Sequence, residues 1–285
     1  MDMQKSAPSS SSLLPVVKIA LLCAGAAIVL AMVNEWLWVL PLGIFVACYL
    51  AAPFFPQAGF FLPVISRGCT GGTMVALTFD DGPDPAATPR ILELLEKNKA
   101  KATFFVIGKK AQGHPDLMRE IIARGHDVGN HSYCHDVLLM LRSRQTIASE
   151  IRMAQEAISA FGIRPLVFRP PAGITNPKLG GILKQQGLHC VTFSCRGFDA
   201  GNRRFEGLAE RILKKVRPDD IILLHDCMPH GDASVDMWLQ EIEALLAGLA
   251  EKNLAPVPLE QLIGRPVCSR LAEKASQIER LQQFN

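Results

Sequence analysis

The sequence predicts an α/β domain built around a parallel sheet and preceded by a pair of apolar helices. Three observations carry that prediction. After Gly71-Gly72 the chain alternates strand-like and helix-like stretches about six or seven times. Several of the apolar strand-like runs stop at a carboxylate, an arginine or an imidazole, where the ligand crevice of a parallel sheet opens. Finally, from Val16 to Phe55 the only charges are Lys18 and Glu35, a run far longer than the roughly 20 residues that cross a bilayer once.

The 285 residues, 49% of them hydrophobic, suffice for one substantial domain with an appendage. A formal net charge of +3 gives no electrostatic footprint for a nucleic-acid partner. Residues 1–15, Ser-rich and uncompacted, are expected to be disordered. Residues 16–56 divide at Asn34-Glu35 into two transmembrane helices, Val16 to Val33 and Trp36 to Phe54. Trp36, Trp38 and Tyr49 are candidate interfacial anchors, and Pro41 a candidate kink. A cleaved signal peptide would turn polar after one short apolar stretch; here a second follows, which favours integration in the plasma or inner membrane. Lys5, Lys18 and Arg67 flank the pair while Glu35 lies between the spans, which places both ends, and so the α/β domain, in the cytoplasm. Residues 57–73 are expected to be a linker, 74–265 the α/β domain, and 266–285 a polar C-terminal tail. The 8 cysteines are scattered without CxxC, as befits a reducing compartment.

Within the domain, Met74 to Phe79 reads as a buried strand. Thr88 as N-cap with Pro89 at the first helical position opens a helix to Lys97. Lys101 to Ile107 is the next strand, Pro115 to Ala123 a helix, and His126 to Gly129 a strand delivering Asn130 and His131. Arg144 to Phe161 places Ile147, Ile151, Ala154, Ile158 and Phe161 on one helical face. The strand Leu166 to Phe168, the helix Pro177 to Gln186 and the strand Cys190 to Phe193 follow. The helix Phe205 to Val216, the strand Ile221 to Leu224 and the helix Ser234 to Glu251 come next. Val257 and Glu260 to Leu262 close the domain.

Four stretches carry chemistry. The first, Thr78-Phe79-Asp80-Asp81-Gly82-Pro83, ends a strand on two adjacent carboxylates, which repel unless a cation or a proton separates their roles. An isolated Asp-Asp-Gly is more often a solvated turn, so the other three decide the matter. His131 and His135 stand four apart, a spacing that lets both face one cation. With a strand-end carboxylate they make a two-His, one-carboxylate set, which suits a hydrolytic Zn²⁺ site or an Fe²⁺ oxygenase site. Arg169, at a strand end before Pro170-Pro171, is placed to lock a carboxylate by a bidentate pair. His225, ending Ile221-Ile222-Leu223-Leu224, is suited to protonating a leaving group.

Taken together, Thr78-Phe-Asp-Asp-Gly82, His131-Ser-x-x-His135, Arg169-Pro-Pro171 and Leu223-Leu-His225 resemble, in order and spacing, the motifs of polysaccharide deacetylases, the NodB-homology family or carbohydrate esterase family 4. The resemblance runs from about Val75 to Gly264. It implies a distorted (β/α) barrel of about seven units and removal of an N-acyl group, acetyl or formyl, from an amino sugar in a saccharide or glycolipid. It implies Asp80 as general base, and Asp81, His131 and His135 as ligands of a divalent metal, usually Zn²⁺. Arg169 would orient Asp80, His225 would be the general acid, and Asp199 would tune the Arg or the catalytic His. Ala172 stands where the family has a Tyr and keeps its backbone N–H for the oxyanion; Ala200 stands where the family has a Trp that walls the groove. A cytoplasmic domain would act on a lipid-linked or nucleotide-linked saccharide, an outward-facing one on cell-wall glycan.

Overall fold

The computed structural model describes residues 13–229 and 235–271. The expected disorder of the N-terminus and most of the C-terminal tail, and His230, lie outside these residues. The helix α1 (Pro15–Val33) starts on a proline, whose missing N–H costs nothing in a first turn, and buries none of its residues. Asn34 Oδ1 accepts a hydrogen bond from Trp36 N (2.9 Å), turning the chain into α2 (Val39–Ala51), which packs along α1. The second helix therefore starts later than Trp36; with the 3₁₀ turn that follows it reaches Phe54. Among the described residues α1 alone has the length and apolarity of a full membrane span.

Phe60, Phe61 and Leu62, inside the stretch expected as a linker, are buried, and they lead into β1 (Val64–Ile65). Next come β2 (Met74–Asp80), α3 (Thr88–Lys97), β3 (Ala102–Val106), α4 (Gly108–Gly113), α5 (Pro115–Ala123) and β4 (Asp127–Asn130). Thr88 is not the cap of α3. Its hydroxyl faces the buried Asp226 carboxyl, and Asp84 Oδ1 accepts from the N–H groups of Ala86 and Ala87 instead. Ser143 caps α6 (Arg144–Ser159) by accepting from Thr146 N (3.1 Å), and Ile147, Ile151, Ala154 and Ile158 are buried on its inner face. Then follow β5 (Ile163–Pro165), β6 (Val167–Phe168), α7 (Leu179–Gln186), β7 (His189–Val191), β8 (Cys195–Arg196), α8 (Leu208–Leu213) and β9 (Ile221–His225). The chain closes through α9 (Val235–Glu251), β10 (Ala255–Pro256), α10 (Leu259–Ile263) and β11 (Cys268–Arg270), the last inside the expected tail and paired antiparallel with β5.

The main sheet runs β1-β7-β6-β4-β3-β2-β9-β8 with all these pairs parallel, and β10 lies beside the start of β2. Its curl follows from connectivity. Only Thr192, Phe193 and Ser194 separate β7 from β8, which stand toward opposite ends of that order. Thr192 N bonds Ile65 O (2.8 Å) and Ser194 N bonds Ile221 O (3.1 Å). One extended run thus leaves β1 and β6 and joins β9, drawing the two margins of the sheet together.

Alternation along the strands sets what the curl encloses. Val75, Leu77 and Phe79 of β2 enter the outer core under the helices, with Ile222 and Leu224 of β9. Ala76 joins Phe105, Val167, Val191, Ile221 and Leu223 in a smaller inner core. The inner face of β2 then continues through Thr78 to Asp80, and that of β9 to His225, at one level: Asp80 and His225 are register partners.

Candidate active site

Asp80 and Asp81 are sent to different partners by the backbone. Asp80 ends the strand and faces into the curl, whereas Asp81 takes a left-handed conformation (φ 74°) that swings its side chain elsewhere. Asp80 Oδ1 accepts from Arg169 Nη1 at 2.6 Å, and the same nitrogen donates to Thr78 Oγ1 at 2.8 Å. Arg169 Nη2 donates to Thr192 O at 2.8 Å, and the buried guanidinium lies 3.9 Å over the ring of Phe105. The expected bidentate pair is therefore a single-oxygen contact. The second arm of the fork ties down the strand run between β7 and β8, which leaves Asp80 Oδ2 available. Burial pulls the Arg169 pKa down from its ordinary value, and the Asp80 carboxylate opposes that fall.

The two imidazoles come from a compact loop after β4, not from a helical turn. Ser132 and His135 have φ values of 68° and 57°. Asn130 Oδ1 accepts from Ser132 N (2.9 Å), Ser132 Oγ from His135 N (3.1 Å), and Glu150 Oε2 from Cys134 N (2.8 Å), which fixes the loop. His131 and His135 place Nε2 at 3.4 and 3.0 Å from Asp81 Oδ1, and one ligand atom from each of the three residues lies within 4.8 Å of the others.

This donor set fits a divalent cation. His131 Nδ1 bonds the Arg169 carbonyl at 2.8 Å, and a carbonyl only accepts, so Nδ1 carries the proton and Nε2 of the neutral ring presents a lone pair to the carboxylate. Asp81 Oδ1 is buried with no well-directed donor. A ring nitrogen lone pair facing a buried carboxylate oxygen is repelled unless a cation or a proton stands between them, and His135 Nε2 points at the same oxygen. Without one, burial raises the Asp81 pKa, but the His131 and His135 imidazoles more than reverse that and hold it far below the carboxylate range.

Across from Asp80, His225 Nδ1 lies 2.8 Å from Asp199 Oδ2. Burial pulls this imidazolium down, yet the bond to Asp199 and the charges of Asp199, Asp81 and Asp80 outweigh it, so that its pKa is raised to about 9. Asp80, Asp81, His131, His135, Asp199, His225 and Ala172, the last in a left-handed conformation (φ 56°), line one open cavity of about 840 Å³.

Some residues of the site gave little signal in sequence. Thr78 is a hydroxyl on an otherwise apolar strand, and its role as an acceptor for Arg169 could be suspected only from that oddity. Asp226 is fully buried: its N–H donates to Asp80 O (2.6 Å), its carboxyl meets the Thr88 hydroxyl, and a β-carbon on Gly82 would sit 2.0 Å from its Oδ2. Cys227 lines the cavity, but burial pushes its thiol up to about 12, which argues against a nucleophile.

The model of the polysaccharide deacetylase family matches residues 67–191. The chain is 36% identical over 155 residues to a peptidoglycan-N-acetylglucosamine deacetylase of Bacillus cereus, covering 54% of this chain and 72% of that one. It is 36% identical over 179 residues to a chitooligosaccharide deacetylase of Sinorhizobium fredii, covering 62% and 83%. Among solved structures, the Bc1960 peptidoglycan N-acetylglucosamine deacetylase superposes with a TM-score of 0.66 at 28% identity, over 76% of this chain and 99% of that one. The chitin deacetylase of the fungal pathogen Colletotrichum lindemuthianum gives 0.63 at 28% identity, over 72% and 92%. In sequence and in its curled parallel sheet, the chain belongs to the polysaccharide deacetylases of carbohydrate esterase family 4, hydrolases acting on carbon–nitrogen bonds.

Proposed function

We propose that the protein is a membrane-anchored, metal-dependent deacetylase that removes the N-acetyl group from an amino sugar in a saccharide or glycolipid. The observation that carries this reading is the division of the carboxylate pair, with Asp81 committed to two imidazoles and Asp80 held by Arg169 through one oxygen only. The names of the relatives, chitooligosaccharide and peptidoglycan-N-acetylglucosamine deacetylases, favour a saccharide containing N-acetylglucosamine.

Asp81, His131 and His135 would hold the divalent cation, Zn²⁺ by the character of the donors, which when bound supplies Lewis-acid polarisation of the amide carbonyl and a more acidic water. Asp80 takes a proton from the attacking water on Oδ2 while Arg169 occupies Oδ1 and keeps the carboxylate aimed. The N–H of Ala172 donates to the oxygen on which negative charge develops. His225 delivers the proton of Nε2 to the departing nitrogen, with Asp199 on Nδ1 fixing ring and tautomer. Water adds to the acyl carbon, the C–N bond breaks, and acetate and a free amine leave.

Retention in the membrane is supported by contacts at the base of the helical pair. Val16 N bonds Phe60 O (3.2 Å), and the ring of Tyr49 meets Phe61 edge-on at 5.1 Å. A glycolipid at the membrane surface is favoured by two further bonds: Thr175 N to Pro53 O (3.3 Å) and Gln57 Nε2 to Phe193 O (3.4 Å). Phe193 lines the cavity, so the wall of the site is tied to the segment leaving α2.

The test is acetate release from N-acetylchitooligosaccharide by full-length protein in detergent. Turnover should not need oxygen, which separates this reading from an Fe²⁺ oxygenase. It should stop on chelation, return with Zn²⁺, and fall by about 10²-fold or more in Asp80→Asn and in His225→Ala. Undiminished acetate release by Asp80→Asn would remove the general base and with it the mechanism.

A further inference from the structure

The wall of the cavity contributed by residues 196–204 is unusually cationic. Arg196, Arg203 and Arg204 are exposed, and all three line the active-site cavity. The carboxylates that share the cavity are engaged elsewhere: Asp80 by Arg169, Asp81 by the two imidazoles, Asp199 by His225. Among the described residues none of these three guanidinium groups has a carboxylate within ion-pair distance. Three unneutralised guanidinium groups on one short segment repel one another, an arrangement that makes sense when an anion arrives.

The segment is also built to hold its shape. Arg211 donates from Nε to Gly197 O (2.6 Å) and from Nη2 to Arg204 O (2.5 Å), stapling the loop from outside. Asn202, itself buried, donates from Nδ2 to His225 O (3.1 Å) and Cys227 O (2.7 Å), which locks the loop to the end of β9. Phe198 is carried outward by a left-handed backbone (φ 56°) and stays 55% exposed. Arg196 lies 4.3 Å from its ring and Lys215 Nζ 4.7 Å, so the shelf presents an apolar face flanked by charge. Ala200, small and exposed, also lines the cavity here.

We propose that this shelf is a subsite for a phosphoryl group carried by the saccharide, so that the substrate is a phosphate-bearing N-acyl amino sugar; this rests on the hydrolase reading given above. Guanidinium forks match the several oxygens and high charge of a phosphoryl group better than a single carboxylate needs. A phosphate joining sugar to lipid would lie at the membrane surface, beside the segment to which Phe193 is tied. A soluble sugar phosphate offers the same chemistry, and the experiment separates the two.

The experiment compares three probes with full-length, Zn²⁺-loaded protein: tetra-N-acetylchitotetraose, the same tetramer as its 1-phosphate, and polyprenyl-phosphate-linked N-acetylglucosamine in micelles. The phosphorylated tetramer should show a KM about tenfold below that of the neutral one, the scale of one charge-assisted contact. That advantage should vanish in Arg203→Gln/Arg204→Gln and shrink in Arg196→Gln, and rising salt should erode it. Dependence on the arginines in the soluble arm, the lipid-linked arm or both supports the subsite and says which source it reads. Dependence in neither overturns it, as does equal preference for a tetramer ending in a uronate. Absence of turnover on every probe would sink the hydrolase reading instead, and calorimetric binding of the phosphorylated tetramer, with and without the arginines, would still decide the subsite.

Discussion

Asp80 and Asp81 are identical in chemistry and adjacent in sequence, and one backbone angle makes them different in use. The residues behind the site behave likewise, with ionisation set by what each one touches. His225, as the proposed proton donor, must be protonated to work, and its pKa near 9 keeps it so through neutral pH. Asp199→Asn preserves an acceptor for Nδ1–H but removes the negative charge. The basic limb of kcat against pH should therefore move down toward the ordinary imidazole value of about 6.5. A basic limb unmoved by the substitution would show that another group gives up the proton. Asp226 argues the opposite case. Burial pushes its carboxyl up to about 8, the Thr88 hydroxyl bond only partly opposing, so between about 4 and 8 the folded protein holds a proton that the unfolded chain has lost. Bound protons are then more numerous in the folded state, and the free energy of unfolding falls as pH rises through that window. Asp226→Asn carries no such proton, so relative to the parent it should gain stability from pH 5 to pH 8, by a few kcal/mol at most on the order of the linkage. Parallel urea-unfolding midpoints of parent and variant across that range would mean that Asp226 ionises alike in both states.

At the level of elements, what could be read in the sequence was what local chemistry decides. Apolar runs ending on Asp80, Arg169 and His225 marked strand ends, and α5 runs from Pro115 to Ala123 as its proline and apolar spacing require. Long-range pairing decided the rest. The strand expected from Cys190 to Phe193 ends at Val191, and the run beyond it changes partners, because the curl brings Ser194 to Ile221. Val64 and Ile65 are too short a run to announce a strand, yet they pair with Cys190 and Val191 at the sheet margin. Thr88 has every local mark of a helix cap and was taken by a carboxyl 138 positions away in sequence. The imidazole pair was legible as a pair, whereas the loop holding it depends on Glu150, from another element. Gly129 shows the same lesson in one atom: a β-carbon there would meet the ring of Phe105 at 2.6 Å, the ring on which Arg169 rests. Nothing in the sequence around Gly129 names Phe105.

For the whole molecule the question is how the apolar helices sit relative to the catalytic face. Both ends of the pair touch the domain: Val16 and Ile19 near the start of α1, and Ala52 just past α2, pack on the cluster formed by Phe60, Phe61, Leu62 and Ile182. If the pair is the membrane anchor proposed above, two ends that meet the same body require it to cross and return, with its start and the domain on one side of the bilayer. α1 with 19 residues rises about 28 Å, close to the hydrocarbon thickness, while α2 with 13 falls short unless its 3₁₀ continuation to Phe54 is included. In that anchor a shorter return helix would be accommodated by local thinning of the bilayer, which would also draw the base of the domain, and with it the cavity wall at Phe193, toward the headgroups. In the proposed anchor, flanking Lys18 and Arg67 with Glu35 at the far turn would favour insertion with both ends toward the cytoplasm. A fluorescent reporter fused after Asn285 should therefore be bright and an alkaline phosphatase at the same place inactive, with an N-terminal tag shielded from protease in intact cells. Phosphatase activity at the C-terminus beside a shielded N-terminal tag would mean that only α1 crosses. The contacts of Val16 and Ala52 with a common cluster would then have to break on insertion.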